Sequence, residues 1–171
     1  LLSFDDEVTI HQRFTTDRQI LLAAIDALVV GGDTALYDAI ERAASSIGTI
    51  SARLAIIVLT DGLDTASEGA LEAAVEAAQG RGVPVFPIGL GEKLDTAGLE
   101  HLAKETGGRY YHAASEQDLV YVYRLLSRQL QNQYRLTYES AAPLGAAPIS
   151  IRVVVSVDGA SAEARARYVI P

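Results

Sequence analysis

Two short segments carry oxygen-bearing side chains that a parallel sheet would bring to one edge. The segment RLAIIVLTDGLDT, residues 53–65, is typical of a buried strand that ends at Asp61 and Gly62. Upstream of it, GGDTALYDAI is typical of a glycine turn that presents Thr34 at the start of a helix. Carboxylate and hydroxyl oxygens are ligands that suit Mg²⁺ or another hard divalent ion. Thr34 and Asp61 are therefore the candidate metal ligands of this chain.

Each of these residues also has an ordinary structural interpretation. Aspartate and glycine are common in turns, so Asp61 alone could mark only a turn. A threonine that precedes a helix is a common N-cap, so Thr34 alone could serve to cap the helix. In a doubly wound sheet, however, ligands bind beyond the carboxyl ends of the strands, which is where both residues are expected to lie.

The composition indicates a folded domain with an acidic surface. The chain has 171 residues, 49% of them hydrophobic, which suits one domain or one domain with a small appendage. Its net charge of −8 opposes binding to nucleic-acid phosphates but does not oppose a cation. Cysteine is absent, which excludes disulfides, thiolate metal sites and a cysteine nucleophile.

The sequence leaves localisation and membrane association open. No apolar run reaches the length of a membrane span, and the first residues do not form a signal-peptide pattern. Methionine is absent, and the chain opens directly in the strand-like LLSFDDEV. We therefore expect a piece of a longer protein that is secreted, periplasmic or membrane-anchored, with any targeting signal on the other part.

The order of the predicted elements is that of an α/β protein. The apolar strand LAIIVL, residues 54–59, does not alternate, which predicts cover on both of its faces in a parallel sheet. Strands and helices alternate along the chain, which predicts a doubly wound, Rossmann-like and mostly parallel sheet in three layers. The predicted strands cover residues 1–4, 8–14, 54–59, 83–90 and 109–113, and the predicted helices cover residues 18–28, 35–47, 68–79, 96–106 and 118–131.

The last part of the chain has a different pattern. Residues 134–139, 149–157 and 162–170 alternate as antiparallel strands, and Asp158-Gly159 is a hairpin turn signal between the last two. We therefore divide the chain into a domain of residues 1–133 and a C-terminal β-strand extension of residues 134–171.

The segments that carry Thr34 and Asp61, in this order and at this spacing, resemble a von Willebrand factor type A (VWA) domain of bacterial type. The later segments VPVFPIGLG and GGRYYHA are similar to later strands of that family. The resemblance implies a metal-ion-dependent adhesion site that three segments build. Thr34 matches the threonine of the second segment, and Asp61 matches the aspartate of the third.

The first segment of that site, Asp-x-Ser-x-Ser, does not occur in this chain. On the family pattern, a first strand, its loop and its helix are missing. Thr34 and Asp61 are then an incomplete site, and we expect the chain alone to bind Mg²⁺ weakly or not at all. Because the missing strand would be central, we also expect low stability, or a dimer through the unpaired edge of the sheet.

The resemblance implies a protein-binding or adhesion module and not an enzyme. A protein partner would present an acidic residue that completes the coordination of the divalent metal. Two alternatives remain open. In the first, the chain is a signalling domain similar to a response-regulator receiver, with Asp5 and Asp6 as the acidic pair and Asp61 phosphorylated; a strand after Asp6, where a receiver has a helix, argues against it. In the second, the chain is a structural module whose metal site has decayed.

Overall fold

The chain forms two compact units, Leu1–Gln131 and Asn132–Pro171. The computed structural model describes residues 1–29, 31–48, 52, 54–131 and 149–168. The first unit contains β1 (Leu2–Phe4), β2 (Val8–Ile10), α1 (Arg18–Asp26), α2 (Leu36–Ser46), β3 (Ile56–Thr60), α3 (Leu71–Gly80), β4 (Val85–Leu90), α4 (Thr96–Thr106), β5 (Tyr111–Ala113) and α5 (Glu116–Gln131). The second unit contains β6 (Ile149–Val157) and β7 (Ala160–Tyr168).

A parallel sheet in the order β3-β4-β5 lies at the centre of the first unit. All residues of β4 but the last are buried, which explains why its sequence VFPIGL is apolar without alternation. β1 and β2 pair as an antiparallel hairpin that forms a separate sheet. Within the part of the chain that the structure describes, no strand pairs with the outer edge of β3.

Helices pack against both faces of this sheet. On one face, the helices α2, α3 and α4 contribute to a core cluster formed by Leu36, Ile40, Val58, Ala74, Val75, Ala78, Val85, Leu99 and Leu102. On the other face, α5 contributes to a cluster formed by Phe86, Ile88, Ala113, Val122 and Leu126. The predicted α/β class, with a parallel sheet between helical layers, is therefore confirmed.

The cover of β3 is less complete than its sequence predicts. Ile57 and Leu59 are 39% and 37% exposed, whereas Val58 between them is buried. The register pairs these two residues with Phe86 and Ile88 of β4, so all four side chains share one face of the sheet. The prediction of cover on both faces is wrong for β3, because α5 packs over β4 and β5 and leaves this side of β3 open.

Helix α1 is capped by Asp17 but contributes little to the core. The Asp17 carboxylate accepts hydrogen bonds from the backbone N–H groups of Gln19 and Ile20, at 2.8 and 3.3 Å. The helix has no buried residue, and Ile20 and Ile25 on its apolar stripe are 46% and 48% exposed. Its apolar side chains are thus largely accessible to solvent.

In the second unit, β6 and β7 form a two-stranded antiparallel ribbon. The turn residues Asp158 and Gly159 have φ angles of 47° and 83°, and a two-residue hairpin turn with positive φ at both positions is the kind that Asp-Gly favours. The predicted hairpin is therefore confirmed. The predicted strand at residues 134–139 lies outside the described residues. None of the described helices is long and apolar enough to span a membrane.

Candidate metal-binding edge of the sheet

Thr34 lies between the start of α2 and the segment that follows β3. Its backbone N–H donates to the Thr65 hydroxyl at 3.0 Å, and its carbonyl oxygen accepts from the N–H groups of Thr65 and Ala66 at 2.9 and 3.1 Å. Its own hydroxyl oxygen lies 3.7 Å from the position that a Cβ atom on Gly62 would occupy. The structure thus brings Thr34 next to the turn that contains Asp61.

The N-terminus of α2 is capped by residues distant in sequence and not by Thr34. The residue at its N-cap position is an alanine, which offers no side-chain acceptor. Asp64 Oδ1 accepts from the N–H groups of Leu36 and Tyr37 at 2.8 and 3.3 Å, and Ser67 Oγ accepts from Tyr37 N–H at 3.0 Å. The interpretation of Thr34 as a helix cap is therefore wrong, and capping does not occupy its hydroxyl.

Asp38 completes this contact between α2 and the segment after β3. Its two carboxylate oxygens accept from the N–H groups of Glu68 and Gly69 at 2.9 and 3.0 Å. The Ser67 hydroxyl donates to Asp64 Oδ1 at 2.6 Å, so the capping residues also hold each other. We refer to Asp38, Asp64 and Ser67 as the interlock. It fixes the path of the chain just after Asp61 relative to the start of α2.

The turn between β1 and β2 holds the glycine turn from a second side. Asp6 Oδ1 accepts from Asp33 N–H at 2.6 Å, and the carbonyl oxygen of Asp5 accepts from Ala35 N–H at 2.8 Å. Gly32 has a φ of 78°, and a Cβ atom there would lie 2.8 Å from the Asp5 Cβ atom, so the site requires glycine. Asp5 and Asp6 thus position the loop that carries Thr34. The predicted strand after Asp6, which argues against a receiver domain, is present as β2.

Asp61 is exposed at the carboxyl end of β3, and its turn does not depend on its carboxylate. The buried Thr60 makes the local contact instead, because its hydroxyl oxygen lies 3.3 Å from both the N–H and the carbonyl oxygen of Gly62. Among the described residues, the Asp61 carboxylate has no hydrogen bond or ion pair within the protein. Asp61 is thus exposed and Thr34 partly exposed at the same edge of the sheet.

Carboxylates surround Tyr37, on the first turn of α2. Burial has the largest effect and raises the pKa of the Tyr37 hydroxyl above its usual 10.0, and the charges of Asp95, Asp64 and Glu72 raise that pKa further.

Thr34 and Asp61 fit only part of a metal coordination sphere. Magnesium prefers near-octahedral coordination by oxygen and usually keeps several waters. The two residues offer one hydroxyl and one carboxylate. No group of three or more His, Asp or Glu residues that could hold a metal ion occurs in residues 1–29, 31–48, 52, 54–131 and 149–168. The donor set is of the right type for Mg²⁺ but smaller than a closed protein site.

Sequence reasoning from the strand-end pattern missed the interlock. Its members are ordinary polar residues. Asp64 and Asp38 each lie about 30 positions from the backbone N–H groups that they bind, so no local motif connects the two segments. The available signal was the concentration of side-chain acceptors in LDTAS, residues 63–67, directly after the strand, together with the lack of a capping side chain at Ala35.

Comparison with known proteins gives a family match over most of the chain. The family model described as von Willebrand factor type A domain matches residues 1–124. A UPF0353 protein of Nocardia farcinica is 25% identical over 166 residues, which covers 75% of this chain and 50% of that protein. The chain spans about half the length of the curated relatives it matches.

Solved structures share this fold at low sequence identity. A von Willebrand factor type A protein from Catenulispora acidiphila has a TM-score of 0.71 and 19% identity, with 99% of this chain and 46% of that chain covered. Proximal thread matrix protein 1 from the mussel byssus, with a zinc-occupied MIDAS motif, has a TM-score of 0.57 and 20% identity over 77% of this chain and 32% of that chain. An aerotolerance-related membrane protein from Bacteroides fragilis has a TM-score of 0.63 and 20% identity over 77% of this chain and 78% of that chain.

The expected order of elements, the parallel sheet between helical layers and the family match all concern the same part of the chain. Because the family model covers residues 1–124 of 171, this chain belongs to the von Willebrand factor type A domain family.

Proposed function

We propose that this domain binds other proteins through a divalent cation at the carboxyl end of β3. Asp61 and Thr34 contribute a carboxylate and a hydroxyl to that cation. An acidic residue of the partner protein contributes a further carboxylate, so the metal bridges two proteins and catalyses no reaction. Mg²⁺ is the cation that these hard oxygen donors suit best.

One observation carries this proposal: Thr34 lies next to the Asp61 turn, while other residues form the local hydrogen bonds at both positions. Asp64 and Ser67 cap α2 in place of Thr34, and Thr60 holds the turn in place of Asp61. Among the described residues, neither side chain is engaged in a hydrogen bond within the protein, so both oxygen donors are available to a ligand at this edge of the sheet.

The comparisons support the proposal in part. The mussel byssus protein shares this fold, and its MIDAS motif holds zinc. The Bacteroides fragilis protein of the same fold is a membrane protein, which supports a membrane-associated or exported protein as the source of this chain. With two donors in the chain, we expect a dissociation constant for Mg²⁺ on the order of 1 mM or weaker, since affinity for hard cations falls with the number of charged ligands.

Paramagnetic relaxation by Mn²⁺ tests the site even when binding is weak. Mn²⁺ is added to the ¹⁵N-labelled 171-residue chain, and amide signals are followed by NMR. We expect selective broadening of the amides of Thr34, Asp61 and Gly62, which excess Mg²⁺ should reverse. Asp61→Asn should abolish the broadening, whereas Asp33→Asn, which removes the same charge from the neighbouring loop, should retain it.

Other results would favour the alternatives. Broadening that persists in Asp61→Asn, or that centres on other acidic residues, would contradict a site at Asp61. The absence of any local broadening would support a structural module whose metal site has decayed. Incubation with acetyl phosphate followed by mass spectrometry addresses the receiver-like alternative, which predicts a phosphoryl group on Asp61; we expect none.

A further inference from the structure

The carboxyl edge of the parallel sheet is acidic and carries a single basic side chain. The turn between β1 and β2 and the loops at the carboxyl ends of the parallel strands form this edge, in residues 5–7, 31–35, 61–70, 91–95 and 114–115. These segments contain nine aspartates and glutamates and one basic residue, Lys93. Lys93 is exposed and has no hydrogen bond or ion pair with another described residue. Its ammonium group is therefore available to a ligand.

The loop that carries Lys93 is fixed on both sides of this residue. Before it, the carbonyl oxygen of Gly91 lies 2.6 Å from Nε2 of His112, at the end of β5. After it, Leu94 packs against the core cluster on the α4 side of the sheet, and the Asp95 carboxylate caps α4. The backbone at Lys93 is thus held in place by the fold, whereas its side chain is in solvent.

The register of the sheet places this loop beside Asp61. Thr60 pairs with Gly89, so Asp61 and Leu90 are the next positions on two neighbouring strands, which lie about 4.8 Å apart. The three residues from Leu90 to Lys93 extend over at most about 11 Å. The backbone of Lys93 therefore lies within roughly 16 Å of that of Asp61, close enough for one ligand to reach both side chains.

We propose that Lys93 is the second anchor for the protein that binds at the metal. The partner then presents two carboxylates, one to the cation at Asp61 and one to the ammonium group of Lys93. This inference rests on the divalent-cation site proposed above and names the chemistry of its partner. The nine acidic residues of this edge repel an acidic segment, and the cation and Lys93 are the two positive charges that attract it. A lysine suits this contact because its compact charge accepts a carboxylate from several directions.

The charge of Lys93 has the opposite effect on the metal alone. It repels a divalent cation at Asp61, whereas it attracts the carboxylate that the partner brings. At a separation on the order of 12 Å in water of low ionic strength, this repulsion lowers the metal affinity by about twofold. Lys93 therefore favours the complex of metal and partner over the metal alone.

Mn²⁺ titrations of the full 171-residue chain measure the effect on the metal. The amide broadening of Gly62 gives the midpoint at about 10 mM ionic strength. Lys93→Gln should lower this midpoint about twofold, and the difference should disappear near 1 M NaCl, where charges are screened within about 3 Å. The matched control is Lys104→Gln, which removes the same charge from the last turn of α4. This turn lies at the opposite edge of the sheet, where the Thr106 hydroxyl accepts from Val85 N–H, so the control should leave the midpoint unchanged.

Glutarate, a small molecule with two carboxylates, measures the effect on the partner. It is added in the presence of excess Mg²⁺, with acetate as the probe that has a single carboxylate. Glutarate should shift the amides of Gly62 and Lys93 at a lower concentration than acetate does. Lys93→Gln should raise the glutarate midpoint about two- to fivefold, the range of an exposed ion pair, and should leave the acetate midpoint nearly unchanged. Lys93→Arg should retain the wild-type response.

The outcomes separate this inference from the cation site itself. If Mn²⁺ broadens the Asp61 turn but Lys93→Gln leaves either the Mn²⁺ or the glutarate midpoint at its wild-type value, the second anchor is wrong and the cation site stands. Equal effects of Lys93→Gln and Lys104→Gln would also overturn the inference, because they would reflect net charge alone. Absence of broadening at Asp61 in the wild-type chain would overturn the cation site and the second anchor together.

Discussion

Replacing Asp64 with alanine should destabilise the first unit more than the loss of an ordinary helix cap. Asp64 Oδ1 accepts from two backbone N–H groups of α2 and from the Ser67 hydroxyl. Loss of an N-cap side chain typically costs about 0.5–2 kcal/mol. Loss of the bond to Ser67 adds about 1 kcal/mol. Because Asp64 is only half-buried, solvent replaces part of these interactions, and we expect a total of about 2 kcal/mol.

Urea unfolding followed by far-UV circular dichroism measures this loss, since the chain has no tryptophan to report by fluorescence. A loss of about 2 kcal/mol corresponds to a fall of roughly 6–8 °C in Tm for a domain of this size. Asp95→Ala is the comparator, because Asp95 caps α4 through a single hydrogen bond, to Gly98 N–H at 3.0 Å. If Asp64→Ala loses no more stability than Asp95→Ala, the interlock does not hold α2 as we describe.

Four further substitutions test separate parts of the structure. The pKa of Tyr37 is raised, so the folded state keeps a proton that the unfolded state releases. The stability linked to this proton is complete below pH 10 and is lost as the pH rises through the folded pKa. Tyr37→Phe should therefore remove this part of the alkaline loss of stability, as measured by unfolding between pH 9 and 12. Asp6→Ala should lower the free energy of unfolding by about 1 kcal/mol and accelerate hydrogen exchange at Asp33 N–H. Unchanged exchange would mean that the Asp6 carboxylate does not hold this loop. Ile88→Ala should cost about 2–5 kcal/mol. Leu59→Ala, at the position opposite in the sheet but 37% exposed, should cost clearly less, and equal losses would mean that Leu59 is covered.

Local chemistry made several features of the fold predictable from sequence. The strand VFPIGL is apolar without alternation because it is central in the sheet and covered on both faces. Asp158-Gly159 turns between the two strands that it separates. In each case the residues that determine the structure lie within a few positions of it.

Features that depend on distant partners could not be predicted in this way. The strand IIVLT has the pattern of a fully covered strand, yet Ile57 and Leu59 are partly exposed, because a pattern shows which surface a strand can bury and not which element covers it. The cap of α2 comes from Asp64, which accepts a hydrogen bond from the N–H group of Leu36, 28 positions earlier in the sequence. The proximity of Thr34 to the Asp61 turn was expected from sheet topology and the family resemblance, whereas the contacts that free both side chains required the structure.

Mn²⁺-induced broadening of the backbone amides, compared between the wild-type chain and Asp61→Asn, is the decisive test of a divalent-cation site at the carboxyl end of β3. We expect broadening at Thr34, Asp61 and Gly62 that Mg²⁺ reverses and that Asp61→Asn abolishes without loss of fold. Equal broadening in the two proteins, or broadening confined to other residues, would contradict a divalent-cation site at this edge of the sheet.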